Sequence, residues 1–485
     1  MIASPRAAAP ALERMFDLPP SEADERLEVE GQALPEWLDG TCYFNGPARY
    51  RRGDLAYRHW LDGDGAVSSL RITRGERPRF RRRFVQSTKL RDEEAAGRAL
   101  FRTFGTAFDG DRLRRGLGLE SPVNVSVVPF AGHLLAFGEQ GLPWALDPDT
   151  LETRGEHTFN GRLNAVSPLS AHPSIDPESG EMFNFGISYA ARRPLVNLYR
   201  FTPDGELAGR RRIPLPYPCS MHDFGLSRRW ATFYVNPHLL DVTGIIESGQ
   251  CVMDSLSWQP DLGSRLLVVD RESGEIALDV ALELPRACLH HIHSFEADGL
   301  LYVDLLELDE PVYGQYQPLP DLYRSVAPGR PVRWVVDPEK GAWIERRTLP
   351  YDAAPDFPAV DVRIVDGDYD DFWMLGISAT GRSGRKFFDQ LVHLRWSDES
   401  IDLWQAPAGR LLASEPIFAG QPGRPGRGLV VCHELDLGAG DASQGGGLSS
   451  SFLVFDAQNI AAGPITHLPL STAIPACFHA GWAPA

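Results

Sequence analysis

The sequence predicts an all-β fold, and two observations carry this prediction. First, most of the chain consists of short apolar runs, such as residues 265–270 and 299–305, separated by turns that contain Gly, Pro, Asp or Asn. Second, the chain contains 46 glycines and 39 prolines, which fits such frequent interruption. Short strands at regular spacing are typical of a sandwich, a barrel or a propeller, so these architectures stay open at this point.

Several turns repeat one form, in which a strand-like run reaches an Asp or Thr, passes through a turn with Pro or Gly, and is followed by a new run. These turns are Leu146-Asp147-Pro148-Asp149, Ile175-Asp176-Pro177-Glu178-Ser179-Gly180, Thr202-Pro203-Asp204-Gly205, Val269-Asp270-Arg271-Glu272-Ser273-Gly274 and Val336-Asp337-Pro338-Glu339-Lys340-Gly341. Recurring units of this kind favour the blades of a propeller over a single sandwich.

Few segments depart from the strand pattern. Residues 92–104 are the clearest helical candidate, because good helix formers such as Glu93, Glu94 and Ala95 lie there. The apolar residues in 237–258 are either core or a partly exposed lip around a ligand entrance. Residues 422–428 and 438–447 are expected to be surface loops. We therefore predict one propeller domain over residues 1–485, with a short N-terminal extension and cap loops at about 90–120 and 236–262.

Composition restricts the possible partners. The formal net charge of −17 disfavours nucleic acid as a partner, because phosphate binding relies on a basic surface. Hydrophobic residues make up 43% of the chain and charged residues 23%, which fits a folded protein with a large core. Oligomeric state cannot be read from these values.

The cysteines and the N-terminus favour a cytoplasmic location. The six cysteines form no C-x-x-C pair and no disulfide framework, so reduced thiols are expected. The segment beginning Met1-Ile2-Ala3-Ser4-Pro5 lacks the pattern of a secretory signal, and no apolar run is long enough to span a membrane. A peripheral membrane contact stays possible.

Four of the thirteen histidines stand out by their sequence contexts. These contexts are Ser170-Ala171-His172-Pro173, Met221-His222-Asp223-Phe224-Gly225, His290-His291-Ile292-His293-Ser294 and Ala476-Cys477-Phe478-His479-Ala480. Successive members are separated by 50, 68 and 189 residues, too far apart for a local zinc loop. The innermost strands of a propeller converge on a central channel, so side chains from separate blades can meet there. Spacing alone leaves open whether these histidines form a metal site or lie apart.

Taken in order, the motifs of this chain resemble those of the carotenoid cleavage oxygenases along nearly its whole length. Besides the four histidine contexts, the matching motifs are Phe44-Asn45-Gly46-Pro47, His59-Trp60-Leu61-Asp62-Gly63-Asp64-Gly65, residues 139–148, Phe455-Asp456-Ala457 and Gly463-Pro464-Ile465. The resemblance implies a seven-bladed β-propeller with a helical and loop cap over the active-site entrance. It also implies an oxidoreductase, a non-haem Fe(2+) dioxygenase that cleaves a conjugated carbon–carbon double bond.

The resemblance implies that the iron ligands are His172, His222, His290 and His479. In the family the third ligand stands three residues before a usual asparagine, and His293 occupies the asparagine position here. This register assigns the ligand to His290 rather than His291. Four neutral imidazoles leave the metal its full charge and, in octahedral geometry, two open positions for dioxygen and for substrate or water.

Carboxylates that orient the ligating histidines are also implied by the resemblance. Glu139 is expected to orient His222, and Glu415 to orient His479. Asp356 stands where the family usually has a glutamate, and it would orient His290. Because Asp356 is one methylene shorter, its contact could be direct through a backbone shift, bridged by water, or absent.

Two positions bear on the substrate. Relatives that cleave phenolic stilbenes or isoeugenol-like alkenes carry a lysine and a tyrosine that hold the phenol, and those positions here are Gly138 and Phe104. Val125 stands where many members have a threonine near the metal, and it could only shape the site. The loss of both polar partners, with apolar Phe101 and Trp144 nearby in sequence, favours a carotenoid or apocarotenoid polyene.

Three alternatives stay open at the level of sequence: a stilbene or phenylpropanoid alkene dioxygenase, a propeller that binds or isomerises a polyene without cleaving it, and a plain interaction propeller. The expected partners of the favoured function are an apolar polyene and dioxygen. Because carotenoids dissolve poorly in water, residues 239–246 are a candidate for peripheral membrane contact.

Overall fold

Short β-strands make up most of the chain in the computed structural model, which describes residues 12–189, 193–312, 317–364, 369–438 and 447–485. In chain order, the first strands are β1 (Ala23–Arg26), β2 (Glu30–Gly31), β3 (Gly40–Pro47), β4 (Arg51–Arg52), β5 (Leu55–Ala56), β6 (Gly65–Ile72), β7 (Arg79–Phe84), β8 (Ser126–Phe130), β9 (His133–Phe137), β10 (Trp144–Leu146), β11 (Thr153–Glu156), β12 (Ser174–Ile175), β13 (Met182–Ser188), β14 (Leu195–Phe201), β15 (Leu207–Pro214), β16 (Gly225–Leu226), β17 (Trp230–Val235) and β18 (His238–Leu240). The remaining strands are β19 (Leu256–Trp258), β20 (Arg265–Asp270), β21 (Ile276–Ala281), β22 (Ala287–Ala297), β23 (Leu300–Leu308), β24 (Gly329–Asp337), β25 (Ala342–Thr348), β26 (Asp356–Val360), β27 (Asp371–Gly376), β28 (Gln390–Arg395), β29 (Ile401–Gln405), β30 (Arg410–Leu412), β31 (Ile417–Gly420), β32 (Gly428–Asp436), β33 (Ser449–Asp456), β34 (Thr466–Pro469) and β35 (Ala480–Pro484).

Seven antiparallel sheets of four to six strands form the blades of a β-propeller, counted over the described ranges. Their strand orders are β35-β3-β6-β7-β1, β8-β9-β10-β11, β12-β13-β14-β15, β16-β17-β20-β21, β22-β23-β24-β25, β26-β27-β28-β29 and β30-β32-β33-β34-β2, with β31 also paired to β32. Inner strands of neighbouring blades contact one another, as β16 does with β22, β22 with β26, β26 with β31, β31 with β35, and β35 with β8. The predicted seven-bladed propeller is confirmed.

The two chain ends meet in the same two blades. The C-terminal strand β35 pairs with β3 over Phe44↔Ala480 to Gly40↔Pro484, and the early strand β2 pairs with β34. The ring is thus closed by hydrogen bonds between distant parts of the chain. A propeller closed in this way leaves only short, protected sheet edges.

The repeated turns predicted from the sequence join strands within the blades. In four of them an Asp carboxylate accepts backbone N–H groups two or three residues further along, as Asp270 Oδ1 does from Glu272 and Ser273 at 3.0 and 2.9 Å. Asp147, Asp176 and Asp337 make equivalent contacts. These Asx turns stabilise tight reversals with their own side chains, which explains why the form recurs.

The predicted helix over residues 92–104 has the wrong boundaries. The helix is α1 (Thr88–Ala96), which begins at the N-cap Ser87, whose Oγ accepts the N–H of Leu90, and ends at Gly97 with φ +64°. Glycine adopts this left-handed conformation without steric cost and therefore stops the helix before residue 98. The other helices in the described residues are α2 (Val242–Ile246) and the 3-10 helices Leu12–Phe16, Trp60–Asp62, Met253–Ser255, Pro260–Leu262 and Ile460–Ala462.

The two predicted cap segments, at about 90–120 and 236–262, contact each other. Met253 N–H donates to the Phe104 carbonyl at 2.8 Å, and the Arg102 guanidinium donates to the carbonyls of Ile245 and Gln250.

The loop at 422–428 lies on the surface as predicted, whereas most of the loop at 438–447, like Met1 to Pro5, lies outside the described residues. The assignment of residues 1–485 to one domain stays a prediction.

The cysteines and the helices bear on two further predictions. All six cysteines are buried free thiols. Among the described helices, none combines the length and the apolar character that crossing a membrane would require.

Candidate metal centre

The four predicted histidines meet at the start of the inner strands of four blades. His172 precedes β12, His222 precedes β16, His290 lies near the start of β22, and His479 immediately precedes β35. One ring nitrogen from each lies within 4.8 Å of the corresponding atoms of the other three. The rings of His222, His290 and His479 are buried, and that of His172 is partly buried. Residues separated by up to 307 positions along the chain, from His172 to His479, therefore present four imidazoles to one point.

Glu139 contacts His222. It lies two residues beyond β9, and its Oε1 is 2.8 Å from Nδ1 of His222. This contact occupies Nδ1 and leaves Nε2 of His222 as the nitrogen that faces the other histidines. A carboxylate that accepts the Nδ1 proton fixes both the tautomer and the ring orientation.

Asp356 reaches His290 directly. Its Oδ1 lies 2.5 Å from Nδ1 of His290 and also accepts the N–H of Phe357 at 2.9 Å. Phe357 has a φ of +53°, and the register of β26 shifts between Asp356 and Ala359. Of the three contacts that the sequence left open, the structure contains the direct one, and a distorted backbone accompanies it.

Glu415 and Val125 hold the His479 segment. Oε2 of Glu415 lies 3.4 Å from Nδ1 of His479 and accepts the N–H of Ala480 at 2.8 Å. The N–H of His479 donates to the Val125 carbonyl at 3.1 Å. Val125 therefore positions the histidine through its backbone, a role that its apolar side chain gave no reason to expect.

Asp223 lies at the site, although no role was predicted for it. Its Oδ1 lies 3.6 Å from Nδ1 of His172, the one histidine of the four for which no carboxylate partner was expected. The only available signal was its position in the His222 motif, directly after a predicted ligand.

His291 and His293 lie outside the cluster. Both nitrogens of the His291 ring and Nε2 of His293 are buried without a hydrogen-bond partner. The His293 ring packs against Tyr369, with ring centroids 4.8 Å apart. Burial lowers the pKa of His291 and lowers that of His293 to about 4, so both rings are neutral at pH 7.

Burial keeps two of the four histidines in the neutral form, and a carboxylate acts in the opposite direction on a third. Burial, together with the neighbouring histidines, holds the pKa of His172 well below its usual range, and burial also lowers the pKa of His479. Burial alone would lower the pKa of His290, but Asp356 outweighs it and the pKa is raised. Neutral imidazole is the form that binds a metal.

The inward nitrogens fit a cation. Nε2 of His172 lies 2.8 Å from Nε2 of His222, and Nε2 of His290 is buried with no hydrogen-bond partner. The Nδ1 contacts of His222 and His290 with Glu139 and Asp356 leave the Nε2 lone pairs of these two rings directed inward, where they can coordinate a cation. The donor set therefore fits a divalent metal with nitrogen ligands.

Aromatic side chains cover one side of the cluster. The Phe357 ring lies 5.5 Å from that of His290 and 5.3 Å from that of His479, between centroids. Phe104 is buried in the same apolar cluster as Phe357 and Val125. Trp144, on β10, belongs to a separate apolar cluster.

Gly138 stands in a space that has no room for a side chain. A Cβ at this position would lie 2.0 Å from Oγ of Ser121 and 3.2 Å from the backbone nitrogen of Val123. Ser121 is itself fixed, because its Oγ accepts the N–H of Val123 at 3.1 Å. The Ser121 hydroxyl therefore excludes a lysine at position 138 unless Ser121 moves.

Comparison with known proteins gives a consistent family. Residues 16–484 match the family described as Retinal pigment epithelial membrane protein. The apocarotenoid-15,15'-oxygenase of Synechocystis sp. is 28% identical, with 100% of both chains covered. The lignostilbene-alpha,beta-dioxygenase isozyme III of Sphingomonas paucimobilis is also 28% identical, over 95% of this chain and 94% of that protein. The isoeugenol monooxygenase of Pseudomonas nitroreducens is 26% identical, with 94% of each chain covered.

Solved structures agree with the sequence relatives. A glutamate-to-glutamine mutant of the Synechocystis apocarotenoid oxygenase matches with a TM-score of 0.85 and 25% identity, over 99% of this chain and 100% of that chain. The cobalt-substituted form of the Synechocystis enzyme matches with a TM-score of 0.83 and 25% identity, over 98% of each chain.

Proposed function

Since this chain belongs to the retinal pigment epithelial membrane protein family, that of the carotenoid cleavage oxygenases, we propose that it is an Fe(2+) dioxygenase that cleaves a conjugated double bond of an apolar polyene. The relatives include oxygenases named for apocarotenoid, lignostilbene and isoeugenol. What they share is oxidative attack on a carbon–carbon double bond conjugated to further unsaturation. This chemistry is the premise of the more specific assignments below.

The observation that carries the metal assignment is the convergence of four histidines, each of which offers a ring nitrogen within 4.8 Å of those of the other three. His222 directs its Nδ1 at Glu139, so its inward nitrogen has no proton to donate. An iron ion at this point would be held by His172, His222, His290 and His479 through these nitrogens. Iron supplies the capacity to activate dioxygen, which zinc, having no accessible redox chemistry, does not.

In this proposal the surrounding carboxylates hold the ligands rather than the metal. Glu139, Asp356 and Glu415 accept or attract the Nδ1 protons of His222, His290 and His479. They keep the Nε2 lone pairs directed inward and add negative charge near a dication. Loss of such a partner typically costs about 10–100-fold in metal affinity or activity.

The substrate assignment rests on two positions, 138 and 104, that lack the polar side chains of the phenol-cleaving relatives. Position 138 has no side chain and no room for one, and position 104 is a buried phenylalanine with no hydroxyl. A phenol would find neither the ammonium nor the phenolic partner at these two positions. Phe104, Phe357 and Val125 instead belong to one large buried apolar cluster, and the Phe357 ring contacts those of His290 and His479. An apolar ligand bound by shape and burial suits such surroundings, so a carotenoid or apocarotenoid is the favoured substrate.

The competing substrate is a stilbene or phenylpropanoid alkene, because the lignostilbene dioxygenase is as similar in sequence, at 28% identity, as the apocarotenoid oxygenase. A panel of carotenoids, apocarotenals and hydroxystilbenes, with products identified by mass spectrometry, separates the two. Cleavage of apocarotenals with little or no cleavage of hydroxystilbenes is expected. The opposite pattern would transfer the assignment to the phenolic alkenes.

The reaction class is tested with labelled dioxygen. Iron-loaded protein incubated briefly with an apocarotenal under labelled dioxygen is expected to yield two carbonyl products that each carry label. A geometric isomer with no labelled product would show that the protein binds or isomerises polyenes without cleaving them. Iron below a tenth of an equivalent, with no uptake of added ferrous salt after anaerobic purification, would end the iron assignment.

A peripheral membrane contact is part of the proposal, because the favoured substrates dissolve in lipid. Exposed apolar side chains lie on both cap segments: Leu117 is 62% exposed, Ile246 40% and Leu262 47%. By contrast, Leu240, in the predicted contact segment 239–246, is buried at 6% exposure. Ile246 is therefore the informative position in that segment, whereas a charge at Leu240 would disrupt the core.

Liposome flotation tests this contact. The substitutions Leu117→Asp, Ile246→Asp and Leu262→Asp together are expected to reduce flotation while leaving cleavage of detergent-dispersed substrate largely intact. Val362→Asp is a matched control, because Val362 is an exposed apolar residue on a blade loop outside the cap segments. Equal flotation of all variants and the wild type would contradict a contact through the cap.

A further inference from the structure

His172 is the member of the histidine set for which neither Glu139, Asp356 nor Glu415 is a partner. We propose that Asp223 is its positioning residue. In this assignment the carboxylate attracts the Nδ1 proton of His172 and keeps Nε2 directed at the metal. The inference rests on the proposed function, because it presupposes that the four histidines bind a metal.

The Asp223 carboxylate is held in place by two backbone groups. Its Oδ1 accepts the N–H of Phe224 at 2.7 Å, and its Oδ2 accepts the N–H of His291 at 2.7 Å. Its side chain is only 12% exposed. A carboxylate fixed in this way cannot turn away from His172 without losing a hydrogen bond at each oxygen.

The geometry at His172 matches that of the other three histidines in kind. At every histidine of the set, Nδ1 faces a carboxylate, and at His172 the distance to Asp223 Oδ1 is 3.6 Å. This is too long for a direct hydrogen bond but suits an electrostatic or water-bridged contact. No other carboxylate lies within ion-pair distance of His172 among the described residues.

Local backbone structure brings the three segments together. The register of β22 shifts on both sides of His291, and this irregular stretch directs the His291 N–H at Asp223. Gly225 permits the close approach, since a Cβ there would lie 2.3 Å from Oγ of Ser294 and 3.1 Å from Cδ2 of His291. Asp223 therefore connects the segments that carry His172, His222 and His290.

Two consequences follow for a bound metal. Each ligating histidine has its own carboxylate, so the negative charge around the site is spread over all four ligands. The Asp223 contact also links inner-strand segments of three consecutive blades. A substitution at Asp223 should therefore alter the metal environment itself, and not only the stability of the fold.

Cobalt provides a readout that does not depend on activity. We compare wild type, Asp223→Asn and the control Asp371→Asn by titrating metal-free protein with Co²⁺ against a chelator and recording the visible spectrum. Asp371 forms a partly buried pair with His393, 2.7 Å apart, on β27 and β28, outside the inner strand β26 that carries Asp356, and neither residue belongs to the histidine cluster. Asp223→Asn is expected to weaken Co²⁺ binding about 10–100-fold and to shift the cobalt bands. Asp371→Asn should change neither, although it lowers thermal stability.

The outcomes separate this inference from the proposed function. Wild type that binds no Co²⁺ and no Fe²⁺ would overturn both. Wild type that binds metal, with Asp223→Asn within twofold in affinity and unchanged in spectrum, would overturn the role of Asp223 alone. If circular dichroism shows that Asp223→Asn does not fold, Asp223→Glu replaces it in the same comparison. This variant keeps the negative charge but moves it by one methylene. An altered cobalt spectrum supports the inference and an unaltered one contradicts it.

Discussion

Oδ1 of Asp356 lies 2.5 Å from Nδ1 of His290, although the aspartate side chain is one methylene shorter than the glutamate usual at this position. The backbone accommodates the difference. Phe357 adopts a φ of +53°, which for a residue with a side chain costs roughly 1–3 kcal/mol, and β26 bulges between Asp356 and Ala359. The strained backbone at Phe357 directly follows the short side chain of Asp356. We infer that this backbone conformation brings the Asp356 carboxylate to His290.

Replacement of Asp356 is expected to weaken metal binding. Asp356→Asn keeps the size and one acceptor oxygen but removes the charge, so iron affinity should fall about 10–100-fold. Asp356→Glu should lose less affinity than Asp356→Asn, because it keeps the negative charge. It should still bind iron more weakly than wild type, because the distorted backbone leaves little room for another methylene. Iron retained after dialysis against a graded series of chelator concentrations measures both. Wild-type retention by the asparagine variant would show that the 2.5 Å contact has no role in metal binding.

The register of the His290 segment gives a second prediction. His290→Ala is expected to abolish stoichiometric iron binding, because it removes one of the four converging nitrogens. His291→Ala should retain iron within a few-fold, since the ring of His291 lies outside the cluster. Its hydrogen bond to Asp223 is made through the backbone N–H, which the substitution keeps, while its ring Nδ1 lies 3.8 Å from Oδ2 of Asp223. Metal analysis of both anaerobically purified variants decides this. Loss of iron in His291→Ala with retention in His290→Ala would reverse the register.

Much of the fold and the cluster could be predicted because both follow from sequence patterns with a direct physical meaning. The Asx turns at Asp176 and Asp270 are local, so the residues that form them are adjacent in sequence. The four histidines were singled out by their motifs, and a propeller brings the starts of inner strands to one axis. The family resemblance was therefore sufficient to predict that residues as distant in sequence as His172 and His479 meet.

What could not be predicted depends on backbone detail. The helix was placed too late because Gly97, which ends it, lies in the middle of a run with high helix propensity. Asp223 was overlooked because its relation to His172 arises from the irregular path of β22, which no local pattern in the sequence encodes. The grouping of Trp144 with Phe104 was inferred from proximity along the chain, but the two lie in different apolar clusters.

Gly138 provides a third prediction, about why a lysine is absent from this site. Because a Cβ here would lie 2.0 Å from Oγ of Ser121, Gly138→Ala should lower the free energy of unfolding by about 1–3 kcal/mol. Adding Ser121→Gly should recover part of this loss, so the two substitutions should be non-additive. Denaturant unfolding of the single and double variants measures the coupling. A Gly138→Lys variant with wild-type stability and new activity on hydroxystilbenes would contradict this account of substrate choice.

Glu120, beside the first cap segment, gives a prediction about pH. Burial raises the pKa of Glu120 to about 7, although the Arg114 guanidinium, 3.5 Å away, opposes the shift. Because the folded-state pKa lies above the unfolded value, Glu120 contributes stability below about pH 4.5 that is lost as the pH rises through about 7. Glu120→Gln cannot ionise, so its free energy of unfolding should increase relative to wild type between pH 5 and pH 8. The change should be a few kcal/mol at most, since one pKa unit corresponds to about 1.4 kcal/mol.

Denaturant unfolding at a series of pH values, under reversible conditions, checks this. Glu152→Gln is the matched control, because Glu152 is an exposed carboxylate in the neighbouring blade, and its difference from wild type should stay nearly constant with pH. Arg114 keeps its two contacts with Glu156 in the Glu120→Gln variant, so the ion pair on that side is not disturbed. A difference between Glu120→Gln and wild type that is flat from pH 5 to pH 8, or that falls, would show that Glu120 is ionised in the folded protein throughout this range.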